Sequence, residues 1–186
     1  MKTPQVLSLG SSNMSWEAFY RLLELSGADA IIDVRARPYS RWPHFNGDEM
    51  KARANFHGLP YRFLGHQLGG LPEGDCRAYR DVAETQEFKD GIAKVLEIAG
   101  RCRPVLICAE HDPLTCHRFL LIARRLAAEG AQVEHILRHG EIETQRETEV
   151  RMLKANRLHA EDLWTPFPEI LNRAYERQER RIRRLK

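Results

Sequence analysis

The sequence predicts an α/β protein: an open, mostly parallel sheet with helices on both faces and a helical extension at the C-terminus. Three observations carry this expectation. Short apolar runs alternate along the chain with amphipathic stretches of helical period. One run, AIIDV at Ala30–Val34, is continuously apolar up to its Asp, as suits a strand covered on both faces. The order β-α-β-(insertion)-α-β-α-β is that of crossover units, in which each helix returns the chain so that the next strand runs parallel.

Taken in order, Val6–Leu9 reads as a short strand and Gly10-Ser11-Ser12-Asn13 as a turn. Ser15 can cap a helix whose Trp16, Phe19, Tyr20 and Leu23 fall at i, i+3, i+4 and i+7. Gly27 is placed to end it. Ala30–Val34 follows as a strand. Residues 35–86, punctuated by Pro38, Pro43, Pro60 and Pro72, are expected to be a long, loop-rich insertion. A short helix near Asp48–Phe56 and a strand at Tyr61–Leu64 fit within it. Phe88, Ile92, Val95, Leu96 and Ala99 then mark an amphipathic helix, and Pro104–Ala109 a strand. Cys116–Glu129 reads as a helix closed by Gly130, and Val133–Leu137 as a further strand. After Pro168, Leu171, Tyr175, Gln178, Ile182 and Leu185 alternate at four and three residues, a helical seam with one polar member. The expected division is an α/β domain over residues 1–140 and a C-terminal helical extension over 141–186 packed on it.

At 186 residues, with 42% hydrophobic and 30% charged side chains, the chain is long enough for a real core and too apolar for disorder. No apolar run approaches the ~18 residues that cross a bilayer, and the N-terminal apolar stretch is short for a secretory signal. No membrane association and a cytoplasmic location are the expectation. Cys76, Cys102, Cys108 and Cys116 are too few and too irregular for a disulfide framework, and Cys76 and Cys102 have no suggestive neighbours. The net charge of +3 divides unevenly. Residues 170–186 hold seven Arg/Lys against two Glu, so the rest of the chain is 22 minus 24, or −2. Bulk charge therefore gives the body no nucleic-acid role; only the tail is basic.

The stretch VLICAEHDPLTCHR, Val105–Arg118, concentrates the chemistry. It reads as a strand, a loop marked by Asp112-Pro113, and the start of a helix, with a cysteine on each side of the loop. In open parallel sheets, sites form at the carboxyl ends of strands. Three distant segments end on that edge: Gly10-Ser11-Ser12-Asn13, then Asp33-Val34-Arg35-Ala36-Arg37, then Cys108-Ala109-Glu110. Cys116 is expected in the first turn of its helix, where free N–H groups, Arg118 and a protonated His117 favour a thiolate. Cys108 alone is equally at home in a core, and Arg118 could pair with Glu110 or Asp112. Arg35, Arg37 and Arg118 offer planar forks of donors to an anion, while Asp33 could instead hold a turn or a buried arginine. In YRFLGHQLGGLP, His66 is a second candidate for proton transfer, or a plain surface histidine, and Gly69-Gly70 lets backbone approach a ligand.

The segments IIDVRARPYSRWPHF, YRFLGHQLGG and VLICAEHDPLTCHR together resemble an uncharacterised family, domain of unknown function 488. The resemblance runs from about Leu7 to Leu137, and the AYERQ segment near the C-terminus is also similar. Its matching positions are Asp33, Arg35, Pro38, Gly69, Gly70, Cys108, Glu110, Cys116, His117 and Arg118. The paired cysteines invite an enzymatic reading, and no reaction comes with the family. A weaker likeness runs to rhodanese and cysteine-phosphatase folds, so the fold expectation is Rossmann-like or rhodanese-like. Nine residues separate Cys108 from Arg118, however, and Glu110 and Asp112 bring negative charge, unlike the anion cradle of those enzymes.

The leading expectation is a thiol-dependent enzyme acting on a small anionic substrate. In it, Cys108 or Cys116 is the nucleophile, His117 and Asp33 act with it, and Arg35, Arg37, Arg118, Glu110, His66 and Ser11 bind substrate. No cofactor is expected. Two alternatives stand beside it. One is a nucleic-acid-associated module using the basic segment Arg173–Lys186. The other is a metal site built from Cys108, Cys116, His117 and either His111 or His66, whose ligand types suit zinc although their spacing matches no common zinc motif. A disulfide between Cys108 and Cys116 and a homo-oligomer are further expectations left open.

Overall fold

A computed structural model describes residues 3–72, 74–158 and 166–183. Strand β1 (Gln5–Gly10) leads into α1 (Trp16–Ser26), which Ser15 caps by accepting from the Ala18 amide at 3.2 Å. Gly27 ends it in the left-handed conformation, φ 67°, that glycine adopts without strain. Strand β2 (Ala30–Asp33) follows.

The segment after β2 is more regular than its prolines suggest. A 3-10 turn (Pro43–Phe45), α2 (Gly47–Phe56), β3 (Tyr61–Phe63), α3 (Gly65–Leu68) and α4 (Tyr79–Ala83) fill it. It is not an insertion beside the sheet, because β3 pairs in parallel with β2 and forms one edge. Then come α5 (Gln86–Ala99) and β4 (Pro104–Cys108). A helix opens as a π-helix (Arg118–Ala123) and continues as α6 (Arg124–Ala128). After β5 (Gln132–Ile136), three elements close the described chain: β6 (Ile142–Thr144), α7 (Gln145–Ala155) and α8 (Phe167–Arg183). The sequence reading took 141–186 as helical, which α7 fits, but placed no strand at β6 and no bounds on α7 in this segment short of apolar residues. Thr144 nevertheless caps α7 with Glu147 returning the bond, a capping box.

The six strands form one sheet in the order β3-β2-β4-β1-β5-β6, parallel except for the antiparallel pair β5–β6. Alternation along the strands separates two cores. Leu7, Leu9, Ile31, Val105 and Ile107 face Phe19 and Leu23 of α1 and Met50 and Ala54 of α2. Val6, Ile32, Leu106, Cys108 and Val133 face the other way, toward Phe88, Ile92, Phe119, Met152 and Tyr175. The neighbouring strands β1 and β4 therefore send their connections to opposite faces of the sheet, the arrangement that leaves a crevice at carboxyl ends.

Helix α8 lies on the second core through Ile170, Ala174, Tyr175, Gln178 and Ile182. Its seam includes Ile170 and Ala174, with Leu171 only half-buried; Leu185 and Lys186 lie outside the described residues. Along it, Arg173 pairs with Glu169, Arg183 with Glu179, and Arg177 reaches the Asn156 carbonyl. Among the described residues, no helix is long and apolar enough to cross a membrane.

Candidate functional site

Cys108 ends β4 between β1 and β2, with its side chain in the core shared by α5, α7 and α8. Beyond it the chain turns back over Gly10. A Cβ at Gly10 would lie 1.9 Å from the Glu110 carbonyl oxygen, so the crossing needs glycine. Ser11 donates its amide (2.8 Å) and its hydroxyl (3.2 Å) to the Cys108 carbonyl, which fixes the strand end. Asp112 then accepts from the Leu114 amide at 2.9 Å and starts a 3-10 turn, Pro113–Thr115. That turn displaces the helix start. Cys116 is extended (φ −128°, ψ 141°), and its carbonyl accepts from the amides of Phe119 and Leu120. It therefore caps the helix instead of lying in its first turn, as the sequence suggested.

These constraints bring two thiols and an imidazole together. The Sγ atoms of Cys108 and Cys116 and a ring nitrogen of His117 all lie within 4.8 Å of one another. Nδ1 of His117 is 3.8 Å from each sulfur. Its other nitrogen, Nε2, sits 3.0 Å from the Val34 carbonyl oxygen. A carbonyl only accepts, so Nε2 carries the proton, and in the neutral ring the Nδ1 lone pair faces the sulfurs. The Glu110 Oε2 is 3.0 Å from the Cys108 sulfur and 3.5 Å from that of Cys116. Cys108 and Cys116 are free thiols, 3% and 1% exposed.

Proton affinities follow from this crowding. Hydrogen bonding with Cys116, then burial, raises the Cys108 thiol well above the ordinary range. Burial also works to raise Cys116, but the hydrogen bond from Cys108 and the charges of Arg118 and His117 outweigh it and hold this thiol well below that range. Burial opposes charge on His117, yet the Cys116 charge and hydrogen bond, with Glu110 and the Val34 carbonyl, raise it. The two thiols titrate as a pair, and the bias falls toward losing the first proton from Cys116.

The remaining predicted residues divide. Arg118 is fully buried; it donates to the Glu110 carbonyl and, at 2.9 Å, to that of His111, so it braces the loop that presents Glu110. Its Nε has no partner among the described residues. Asp33 and Arg35 are both buried and hold each other, with Nε–Oδ1 at 2.9 Å and Nη2–Oδ2 at 2.5 Å. Tyr61 donates its hydroxyl to Asp33 at 2.7 Å, and Arg35 reaches the Phe45 carbonyl at 2.7 Å. These contacts fit the turn-holding alternative for Asp33 and Arg35: Nε, Nη1 and Nη2 of Arg35 are engaged inside the protein, as are the two terminal nitrogens of Arg118. Arg37 is exposed. His66 is exposed with its ring edge-on to Phe63, and His111 is exposed; neither belongs to the cluster. Sequence reasoning missed the Val34 carbonyl, since a backbone acceptor has no residue signature. It placed Gly70 near a ligand, and here a Cβ on Gly70 would lie 3.0 Å from Nδ1 of His117.

Fold and cluster together define an open α/β protein with a thiol–imidazole centre at the carboxyl edge of its sheet. The chain belongs to the family described as Domain of unknown function DUF488, which matches residues 15–125. That span contains Asp33, Arg35, Gly70 and every member of the Cys108–Arg118 centre. No curated protein and no solved structure matches the chain.

Proposed function

We propose that this protein binds one thiophilic divalent metal ion, with zinc the best fit, through Cys108, Cys116 and His117, and with Glu110 as the oxygen donor beside them. The observation that carries this reading is the orientation of His117. Its Nε2–H is anchored on the Val34 carbonyl, which aims the bare Nδ1 at both sulfurs, as outer hydrogen bonds do for ligating histidines. Zinc–sulfur and zinc–nitrogen bonds in tetrahedral array put sulfur and nitrogen about 3.5 Å apart. The two separations of 3.8 Å are within a small adjustment of that. Charge also balances: two thiolates and the Glu110 carboxylate are offset by the divalent ion and buried Arg118. The ion would tie the end of β4 to the start of the π-helix across the eight-residue span from Ala109 to Cys116.

Metal analysis of protein purified without chelators tests this. The expected content is about one ion per chain, lost in Cys116→Ser and His117→Ala, with thiolate-to-metal charge-transfer absorption on cobalt substitution. Folded, metal-free protein that takes up neither zinc nor cobalt would sink the proposal.

A second reading is favoured by the depressed Cys116 thiol beside a raised His117: a thiol-dependent enzyme with Cys116 as nucleophile and a small anionic substrate. It requires reagent access to a sulfur in a residue 1% exposed. Stoichiometric iodoacetamide alkylation of Cys116 in folded protein that binds no metal would select it over the first.

A further inference from the structure

Residues 37–62 hold five Arg/Lys (Arg37, Arg41, Lys51, Arg53, Arg62) against Asp48 and Glu49, a local +3 in a body whose balance is −2. Arg53 is paired with Glu49, but Arg37, Arg41, Lys51 and Arg62 are exposed and their side chains make no hydrogen bond or ion pair with a described residue. Among the described residues, the large aromatic side chains classed as exposed all fall in this region too: Tyr39 (80%), Trp42 (37%) and Phe56.

The loop that displays Tyr39, Arg41 and Trp42 is not slack. The Gly47 amide donates to the Pro38 carbonyl and the Ser40 amide to Asn46 Oδ1, both at 2.8 Å, closing its base. Phe45 is fully buried against Phe19, and Arg35 holds the Phe45 carbonyl, so the base is nailed to the core. An ordered loop that keeps rings in water forgoes the free energy of burying them, about 1.5–3 kcal/mol for a large apolar side chain. The Arg41 guanidinium lies 5.5 Å from the Trp42 ring centroid, a cation over an aromatic face. From Pro38 a groove of about 410 Å³ continues between α2 and the edge strand β3, with Lys51 and Arg62 in its walls beside Asp48 and Phe63.

We infer that the 37–42 loop and the Lys51–Arg62 groove bind single-stranded nucleic acid, the bases stacking on Tyr39 and Trp42 and the phosphates following Arg37, Arg41, Lys51 and Arg62. Exposed rings on a loop whose Pro38 borders a groove walled by Lys51 and Arg62 are what a flexible polyanion with unstacked bases requires. The basic C-terminal helix is the less suitable surface, because its apolar face is docked and Arg173, Arg177 and Arg183 are engaged. The inference is independent of the metal centre.

Fluorescence anisotropy with labelled oligothymidylate, over a series of salt concentrations, tests it on the full chain. Four phosphate contacts predict a slope of log affinity against log salt of about −3, falling to about −1.5 in the Arg37→Ser, Arg41→Ser double variant. Tyr39→Ala with Trp42→Ala is expected to weaken binding by about tenfold or more with the slope kept, since stacking is not a salt-dependent contribution. All four side chains are exposed, and unchanged circular dichroism and Tm would show that the fold is intact. No binding at low salt would overturn the inference. So would binding indifferent to these changes but lost in Arg180→Ser with Arg181→Ser, or retention only of phosphatidylserine vesicles.

Discussion

Asp33 shows what a buried carboxylate does when every lone pair is used. It accepts from the Arg35 amide (3.1 Å), from Nε and Nη2 of Arg35, and from the Tyr61 hydroxyl. The pair is less a source of net stability than a fixed geometry, because two ions have left water to form it. Removing one partner is a different matter. Asp33→Ala strands a buried guanidinium and is expected to cost about 3–5 kcal/mol, read from urea unfolding. A loss below about 1 kcal/mol would mean that Arg35 finds water or another acceptor. Glu110 depends on its neighbours in the same way: Arg118 holds its carbonyl and Gly10 makes room for it.

At the scale of elements, the site depends on how α8 docks. Gln178, the polar member of an otherwise apolar seam, donates to the Leu114 carbonyl at 2.8 Å and accepts from Asn156 at 3.0 Å. It thereby ties the helix to the 3-10 turn just before Cys116 and to the end of α7. Gln178→Leu would complete the apolar seam yet take the Gln178 donor from the Leu114 carbonyl and leave Asn156 Nδ2 with only its bond to the Met152 carbonyl. The expected result is destabilisation of about 1–3 kcal/mol, against the gain that apolar patterning alone suggests. A Tm at or above that of the parent would show that the seam, and not the hydrogen bonds, governs docking. Arg151 supplies a second tie, bridging Asp112 of the site loop (3.1 Å) and Glu143 of β6 (2.9 Å).

Across the whole molecule, one buried polar chain joins sheet and helices. Ser8 of β1 meets Nδ1 of His135 at 2.6 Å, and Nε2 of His135 meets Gln145 Oε1 at 2.9 Å. Gln145 donates to the Tyr175 hydroxyl at 2.7 Å, which donates to Glu149 at 2.8 Å. Burial holds His135 neutral and pushes its pKa down to about 4. Unfolded, it returns to about 6.5. The unfolded chain thus binds the extra proton first as pH falls. Stability from this group is full above pH 6.5 and is lost progressively toward pH 4, by roughly 3 kcal/mol in all. Urea unfolding at pH 7 and pH 4.5 should show a loss that shrinks in His135→Gln; an equal loss in that variant would place the acid sensitivity elsewhere.

Local pattern was enough for the α/β class, the capped helix at Trp16–Ser26, the central strands and the segment from Cys108 to Arg118 on which the site is built. These are legible because they rest on local physics: continuous apolar runs, a period of 3.6, an N-cap serine, a C-terminal glycine, an Asp-Pro turn. Packing settled what each chemical group faces. It made β3 a sheet edge instead of part of an insertion, added the strand β6 and set the bounds of α7 within the helical extension. It also engaged Arg35 and Arg118 internally, and turned one imidazole nitrogen toward two sulfurs by giving the other the backbone carbonyl of Val34, just past β2 and eighty-three positions away. Partners that far apart in the chain leave no spacing to read, since they are chosen by packing and not by local pattern.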